Sequence, residues 1–480
     1  YIVDTPEEYI QVYTNEWYKI DTSYRRAVAI YKNLDVAEIP AQINLDQLHE
    51  ELNTTYEKHT DILNREWLKC LNHFNFDYTK IKAPKQYDFY NTEIVPTEVK
   101  VVVIVSDALR YEAAYELLSE MHSDSKNTAE MRYMLASIPS KTNVGMAQLL
   151  PGKDKIFNNG DITNDGISIS GTDNRTKILQ TQNKEAQAYQ YVDIEGLSQT
   201  AKREIFKKPV VYIYHDVIDS TGDKKPSERR TFEAVKDAIN ELKIFVKMLH
   251  SSYNVSKVII TADHGFLYND REIEEKSLEQ LPSIDVVQSH NRYYLTIDKS
   301  LRDLGYSIPL KATTVFKDDL HVTVPFSVNR YRKQGVGHQF VHCGGSLQEL
   351  IVPLIESSRK REVVTKKVTP MIINKGALKI VSNILKLNLL QEQEVSRTHK
   401  DRVLSIGLYN NLTLVSNEEQ VALNFTSEAP SERMVRVELL LAADAANEAF
   451  LKLKIFDSED KLNPLIEERI QNNTLIQTDF

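Results

Sequence analysis

A chain of 480 residues has room for two to four domains, and its ordinary composition (41% hydrophobic, 26% charged) excludes fibrous and low-complexity classes. The net charge of −9 argues against a generally basic nucleic-acid-coating protein, though not against a local basic groove. Two cysteines, Cys70 and Cys343, supply no disulfide framework, as expected in a reducing compartment such as the cytoplasm, and no apolar run approaches the roughly 18 residues that cross a bilayer.

The sequence begins at Tyr1 rather than Met and is expected to be a piece of a longer chain, so the lack of a leader carries little weight. Residues 1–78 read as helical. Thr5-Pro6-Glu7-Glu8 is a capping box with proline in the first turn, and Leu45, Leu48, Leu52, Tyr56, Leu63, Trp67 and Leu71 recur at helical spacing. This region reads as a bundle or connector, with His59 and Cys70 as face or core residues, and residues 79–97, with Pro84 and Pro96, as a linker.

An α/β core is expected over 98–358. Val101–Ser106 is a continuous β-branched run, which suits a strand buried on both faces of a parallel sheet, and it delivers Asp107 to the carboxyl edge where such sheets bind ligands. Residues 110–121 follow as a helix and 131–137 as a strand. A turn through Pro139, Ser140 and Lys141 leads into a helix that starts at Thr142 and stops at Pro151-Gly152, placing Thr142 at a helix N-terminus suited to an anion. Residues 151–175, rich in Gly, Asn and Asp, read as loop.

Two further buried strands repeat the first arrangement. Residues 210–214 run toward Asp219, and 257–260 run into Asp263-His264. The amphipathic helix 227–250 between them makes a crossover connection. Residues 270–335 read as an insertion capping the sheet edge. Its mixed stretches Asn291-Arg292-Tyr293-Tyr294 and Asn329-Arg330-Tyr331-Arg332-Lys333 are either surface loops or a substrate-facing surface with arginines on phosphates and tyrosines on bases. Beyond 359 a helix is expected over 375–390. Short strands follow at 403–409, 412–415, 421–425, 435–441 and 451–456, which suggests a small β-sandwich with a structural or partner-binding role.

Asp107, Asp263 and His264 are oxygen and imidazole ligands at strand ends, Asp219 and Asp223 flank a short turn, and His342 precedes Cys343-Gly344-Gly345. Each alone is weak evidence. Together, a mix of Asp and His suits Zn²⁺ or Mn²⁺ better than Mg²⁺ alone.

The order Asp107, Thr142, Asp219, Asp263-His264, His342 resembles the alkaline phosphatase superfamily. More closely, VSDALRYE, IPSKTNVGMAQLLPG, YIYHDVIDSTGD, ITADHGFLY and HCGGSLQELIVP resemble the PglZ domain of bacteriophage-exclusion (BREX) defence systems. The resemblance implies a mostly parallel α/β sheet flanked by helices (98–358), between an N-terminal helical region (1–97) and a C-terminal module (359–480). It implies two Zn²⁺ ions, with Mn²⁺ or Mg²⁺ as alternatives. One would be held by Asp107, Asp263, His264 and Thr142, the other by Asp219, Asp223 and His342. Thr142 would be the nucleophile, with Lys141 or Arg110 as a cation beside the phosphoryl group. The sequence departs from the superfamily at Asp223, where histidine is usual.

The expected activity is a metal-dependent phosphatase or phosphodiesterase, with a lean to nuclease activity. Its partners would be other defence-system proteins, with DNA or another phosphoester as substrate and no membrane. The alternatives are a catalytically degenerate scaffold with a structural metal and, third, a phosphomutase-type transferase. A sulfatase is disfavoured because no Cys/Ser-x-Pro-x-Arg motif is present.

Overall fold

The computed structural model describes residues 3–34, 44–122, 127–158, 161–271, 273, 278–281, 286–297, 304–333, 337–359, 365–396 and 398–474. Parts of the expected N-terminal helical region and of the cap lie outside them. The chain divides into two compact units, Tyr1–Arg359 and Lys360–Phe480.

In the first unit the described helices include α1 (Tyr18–Asn33), α2 (Leu45–His73), α3 (Tyr111–Met121), α4 (Thr142–Gln148), α5 (Ile218–Gly222) and α6 (Thr231–Ser252). The strands that matter to the site are β1 (Val101–Ser106), β2 (Asn127–Leu135), β3 (Gln187–Gln190), β4 (Val210–His215) and β5 (Lys257–Thr261). A cap follows, made of β6 (Gln288–His290), β7 (Tyr293–Thr296), β8 (Tyr306–Pro309) and β9 (His321–Val324), and β10 (Ile351–Arg359) returns to the main sheet.

The main sheet runs β2-β10-β5-β1-β4-β3. Strand β1 is parallel to both β4 and β5, and only β10 is reversed, pairing antiparallel with β5 and β2. All six residues of β1 are buried, which is why the run is apolar without alternation. Burying each of its five aliphatic side chains stabilises the fold by about 1.5–3 kcal/mol. Because β4 and β5 flank β1, the α6 crossover passes over the central strand and brings all three carboxyl ends to one edge.

The N-terminal helices pack through buried charge on the helix Tyr111–Met121 that flanks this sheet. Arg110 and Asp21, both fully buried, pair at 3.1 Å, and the Tyr13 and Tyr56 hydroxyls donate to Asp21 at 2.8 and 2.6 Å. Arg25 grips Glu112 with two nitrogens, both at 2.9 Å to the carboxylate. Buried ions are tolerated only when paired and hydrogen-bonded in this way. Residues 79–97 are likewise folded into short 3₁₀ and π turns, and the Gln86 amide donates to the carbonyls of Ala262 and Asp263 at 3.0 and 2.7 Å.

Two local expectations are corrected. Residues 151–175 are not all loop: Lys155–Asn158, Asp161–Asn164 and Ile167–Ser168 form a three-stranded antiparallel sheet. In the second unit no helix spans 375–390. Strands Lys379–Val381 and Ile384–Gln391 occupy that stretch, joined at Ser382-Asn383, where both residues take the left-handed conformation of a tight hairpin turn. Leu385, Leu387, Leu389 and Gln391 are the buried set, so the operative period is two. The unit's nine main strands form one hydrogen-bonded sheet around a core of Leu and Ile side chains.

Candidate metal centre

Asp107 sits one residue beyond β1. Its N–H donates to the His215 carbonyl at 2.8 Å, extending the β1–β4 ladder by one step. Ala108 then takes a left-handed φ of 61°, and its N–H meets Asp263 Oδ1 at 3.2 Å. A side-chain-bearing residue in that conformation costs about 1–2 kcal/mol, and here the bend aims Asp107 at Asp263. His264 follows. Its Nδ1 donates to the Gly265 carbonyl at 2.9 Å, so Nε2 is left with a free lone pair. That Nε2 lies 3.5 Å from Asp107 Oδ1, 3.4 Å from Asp263 Oδ2 and 3.1 Å from Thr142 Oγ1.

Thr142 is the first residue of α4, and this helix lies directly on the Asp263 turn. A Cβ at Gly145 would come within 2.3 Å of the Asp263 carbonyl oxygen, so only glycine permits the approach that brings Thr142 to His264. The far end of α4 is held by Lys155, whose buried ammonium donates to the carbonyls of Ala147 and Leu150 at 2.7 and 2.9 Å. Burial pulls that ammonium down to about 7.

The second set of residues lies across the edge. His342 Nδ1 is 3.3 Å from the Ser140 carbonyl, and its Nε2 is 3.7 Å from Asp219 Oδ1. Its ring stacks on that of His264, with centroids 4.1 Å apart. Cys343, in left-handed conformation at φ 79°, turns the chain after His342. The following loop is clamped from the cap: Glu349 binds the Gly344 N–H at 2.8 Å and Arg292 at 2.8 Å, and a Cβ at Gly344 would strike the Arg292 guanidinium at 2.4 Å. Trp67 of α2 holds the Gly345 carbonyl at 2.9 Å.

Among the described residues, three overlapping groups have ligand atoms all within 4.8 Å of one another: Asp107, Asp263 and His264; Asp219, His264 and His342; and Asp107, Asp216 and Asp219. Asp107 Oδ1, Asp219 Oδ1 and Asp263 Oδ2 are buried and have no hydrogen-bond partner. Burial and then mutual repulsion push the Asp107 carboxyl well above the usual carboxylate range. Burial raises Asp263 too, against the opposing pull of His264, and moves Asp219 up to about 7. His342 is driven well below the ordinary imidazole value by burial and by the neighbouring His264 and His290. Crowded carboxylates, orphaned oxygens and imidazoles whose Nε2 atoms face them form a donor set that fits a divalent ion.

The structure thus brings together Asp107, Thr142, Asp219, Asp263, His264 and His342. It does not bring in Asp223, which is one turn along α5 from Asp219, exposed, and absent from all three groups. Nor does Arg110 reach the centre as a phosphoryl-binding cation. Its guanidinium is fully buried against Asp21, the Tyr56 hydroxyl at 3.4 Å and the Phe266 ring, so it cannot touch a substrate. Lys141 does stand beside Thr142, half-buried, with Nζ 3.0 Å from Gln288 of the cap.

The mixed stretches of the cap are neither surface loops nor stacking platforms. Arg292, Tyr293, Tyr294, Arg330 and Tyr331 are buried framework, while Arg332 alone is exposed. One member of these groups, Asp216, is not among the residues expected above. Asp216 directly follows β4, and the strand-end rule that selects Asp107 selects it too; its Oδ1 also accepts from the Ser220 N–H at 2.9 Å. His290 lies at the end of β6, and nothing in the sequence marks it.

Comparisons with known proteins identify the family. Residues 89–357 match the family model described as the BREX system PglZ alkaline phosphatase-like domain. The chain is 32% identical to the alkaline phosphatase-like protein BrxZ of Escherichia coli O9:H4 (strain HS) over 75% of this chain and 43% of that one. It is 27% identical to the alkaline phosphatase-like protein PglZ of Bacillus cereus (strain H3081.97), over 96% of this chain and 55% of that one. The chain therefore spans about half the length of these two relatives. Among solved structures, murine ectonucleotide pyrophosphatase/phosphodiesterase 5 is similar at 14% identity and a TM-score of 0.36, over 54% of this chain and 88% of that one.

Proposed function

The chain belongs to the PglZ family, the alkaline phosphatase-like domain of BREX systems, and from that premise we propose that it is a metal-dependent phosphoesterase with Thr142 as its nucleophile. The observation that carries the reading is the placement of the Thr142 hydroxyl 3.1 Å from His264 Nε2, beside buried carboxylate oxygens without partners.

Asp107, Asp263, His264 and Thr142 would hold one divalent cation, and Asp219 and His342 would contribute to a second. A cation bound there lowers the pKa of a threonine hydroxyl and offsets the charge of a phosphoryl group. The chain's own residues do the rest. The Gly265 carbonyl fixes the His264 tautomer. Gly145 lets α4 set Thr142 against the Asp263 turn. The first N–H groups of α4, which no helical carbonyl can reach, face incoming phosphoryl oxygens. Thr142 Oγ gives up its proton to solvent and forms the new bond to phosphorus as the ester oxygen leaves and takes a proton from water; a second water then hydrolyses the phosphothreonine, returning the hydroxyl and releasing phosphate or a phosphomonoester.

The mixture of carboxylates and imidazoles favours Zn²⁺, with Mn²⁺ next. A nucleic-acid phosphodiester as substrate, the cytoplasm as location and other defence-system proteins as partners follow from the BREX setting. The buried aromatics of the cap lend the nuclease reading no support. The test is hydrolysis of bis(p-nitrophenyl) phosphate and p-nitrophenyl phosphate by Thr142→Ala protein with Zn²⁺ or Mn²⁺. Wild-type turnover by that variant would sink the proposed nucleophile.

The exposed position of Asp223 favours a second reading, a scaffold subunit with one structural ion. It predicts a single bound metal and no turnover of either substrate with any of Zn²⁺, Mn²⁺ or Mg²⁺.

A further inference from the structure

His290, supplied by the cap, stands in line with the two imidazoles of the metal centre. Its ring centroid is 6.2 Å from that of His342, which itself stacks on His264. The three rings share one hydrogen-bonding pattern. His264 Nδ1 is committed to the Gly265 carbonyl, and His342 Nδ1 faces the Ser140 carbonyl. His290 Nδ1 lies 2.7 Å from Asn291 Oδ1. The Asn291 amide cannot be turned the other way, because its Nδ2 donates to the Gly337 carbonyl at 2.9 Å. Nδ1 of His290 therefore carries the proton and Nε2 keeps its lone pair. This is the arrangement that a second partner imposes on a metal-ligating imidazole. His215 and His250, by contrast, have both ring nitrogens occupied by protein partners.

The position is also the one where an imidazole is wanted. Asp219 Oδ1 and His342 Nε2 offer two ligands, the third member of their group, His264, is shared with the Asp107–Asp263 group, and Asp223, the further ligand expected there, is exposed and outside the group. Two imidazoles on one tetrahedral ion, with Zn–N bonds of about 2.0–2.1 Å, have ring centroids about 5 Å apart. The observed separation exceeds that by about 1 Å and His290 lies outside the groups of ligand atoms within 4.8 Å of one another, so ligation requires a side-chain rotation of His290 on the end of β6. The cap strand is seated for this by Lys141, which reaches Gln288 at 3.0 Å, and by Lys333, which donates to the Ser289 carbonyl.

We propose that His290 is the third protein ligand of the second divalent cation, replacing from the cap the imidazole that Asp223 does not supply. This rests on the two-metal reading above, and it makes closure of the second site depend on the cap rather than on Asp223.

The test is Zn²⁺ titration of the whole 480-residue chain, with bound metal counted by mass spectrometry and affinities measured by calorimetry. Wild type is expected to take two ions. His290→Ala and His290→Gln are expected to keep the tighter ion and to bind the weaker one at least about tenfold less well, with metal-free melting temperatures unchanged. Asp263→Asn should weaken the tighter ion instead. In Co²⁺-loaded protein the visible bands of only one ion should change in the His290 variants. The inference is overturned if both His290 variants hold two ions with wild-type affinity, or if wild type holds only one. The hydrolase reading fails separately, through wild-type turnover by Thr142→Ala whatever the zinc count.

Discussion

The two halves of the candidate metal centre are built differently. Asp107, Asp263, His264 and Thr142 come from strand ends and a helix locked to them by backbone contacts: the Ala108 N–H on Asp263, the Gln86 amide on the Asp263 carbonyl, and Gly145 against the same carbonyl. Asp219, Asp223 and His342 come from a five-residue helix and a loop held by the cap. One half is preorganised by the sheet. The other depends on elements that the sheet does not fix, and there one expected ligand faces solvent. Rigid placement is what makes a ligand set effective, since a misplacement of about 1 Å can cost 10²-fold in rate.

The largest expected effect lies in the rigid half. Asp107→Asn should lower turnover of an aryl phosphoester by about 10³-fold or more, as removal of a member of a catalytic unit does, whereas Asp223→Ala should change it less than about tenfold. Steady-state kinetics on both variants break the comparison if Asp223→Ala is the more damaging. Next, Gly145→Ala forces a methyl into the Asp263 carbonyl. Overpacking of this kind costs about 1–3 kcal/mol and should displace Thr142, so kcat should fall about 10²-fold. Unchanged kcat with unchanged stability would mean that α4 is not held as described.

A third prediction concerns pH. Burial raises the folded-state pKa of Asp219 from its ordinary 3.8 to about 7 and shifts Asp107 and Asp263 the same way. For a carboxyl group so raised, the folded state binds more protons than the unfolded one. Its stabilising contribution is complete below pH of about 4 and is lost as pH rises through about 7. Metal-free protein should therefore melt at a lower temperature at about pH 8 than the sheet's burial alone would give. Saturating Zn²⁺ should raise the melting temperature more at about pH 8 than at about pH 5, since a ligand that binds only the native state stabilises it. Calorimetric melts at the two pH values, with and without Zn²⁺, check the sign; equal metal stabilisation at both would remove the crowded-carboxylate account. The smallest effect should come from Asp223→His, which restores the usual residue and should tighten the second ion by no more than about tenfold, read by the same titration. No tightening at all would place position 223 too far from the ion to matter.

Some of the molecule behind the site has no counterpart in local sequence pattern. Arg110 reads as a cation next to the ligand Asp107, yet in the fold it is neutralised by Asp21, from a helix about 90 positions earlier in the chain, as its full burial demands. The arginines and tyrosines of the cap read as a nucleic-acid surface, yet Arg292 is the buried partner of Glu349 beneath the His342 loop. Composition records that a residue is cationic or aromatic. It does not record whether a distant carboxylate has claimed it.

What the sequence determined by itself is the part of the protein governed by short-range rules. A run of five β-branched residues reads as a doubly buried strand, a carboxylate following it lies at the sheet's edge, and the order of Asp, Thr and His motifs along the chain identifies the family. Only the tertiary structure decided which of those motifs converge. Asp216 joined the group, Asp223 stayed in solvent, and His290 came to lie beside the His342 ring from a cap strand whose sequence carries no signal. The reason is that ligand geometry is set to within an ångström by backbone twists at Ala108 and Cys343 and by glycine contacts across the chain. These depend on what packs against each turn rather than on the residues within it.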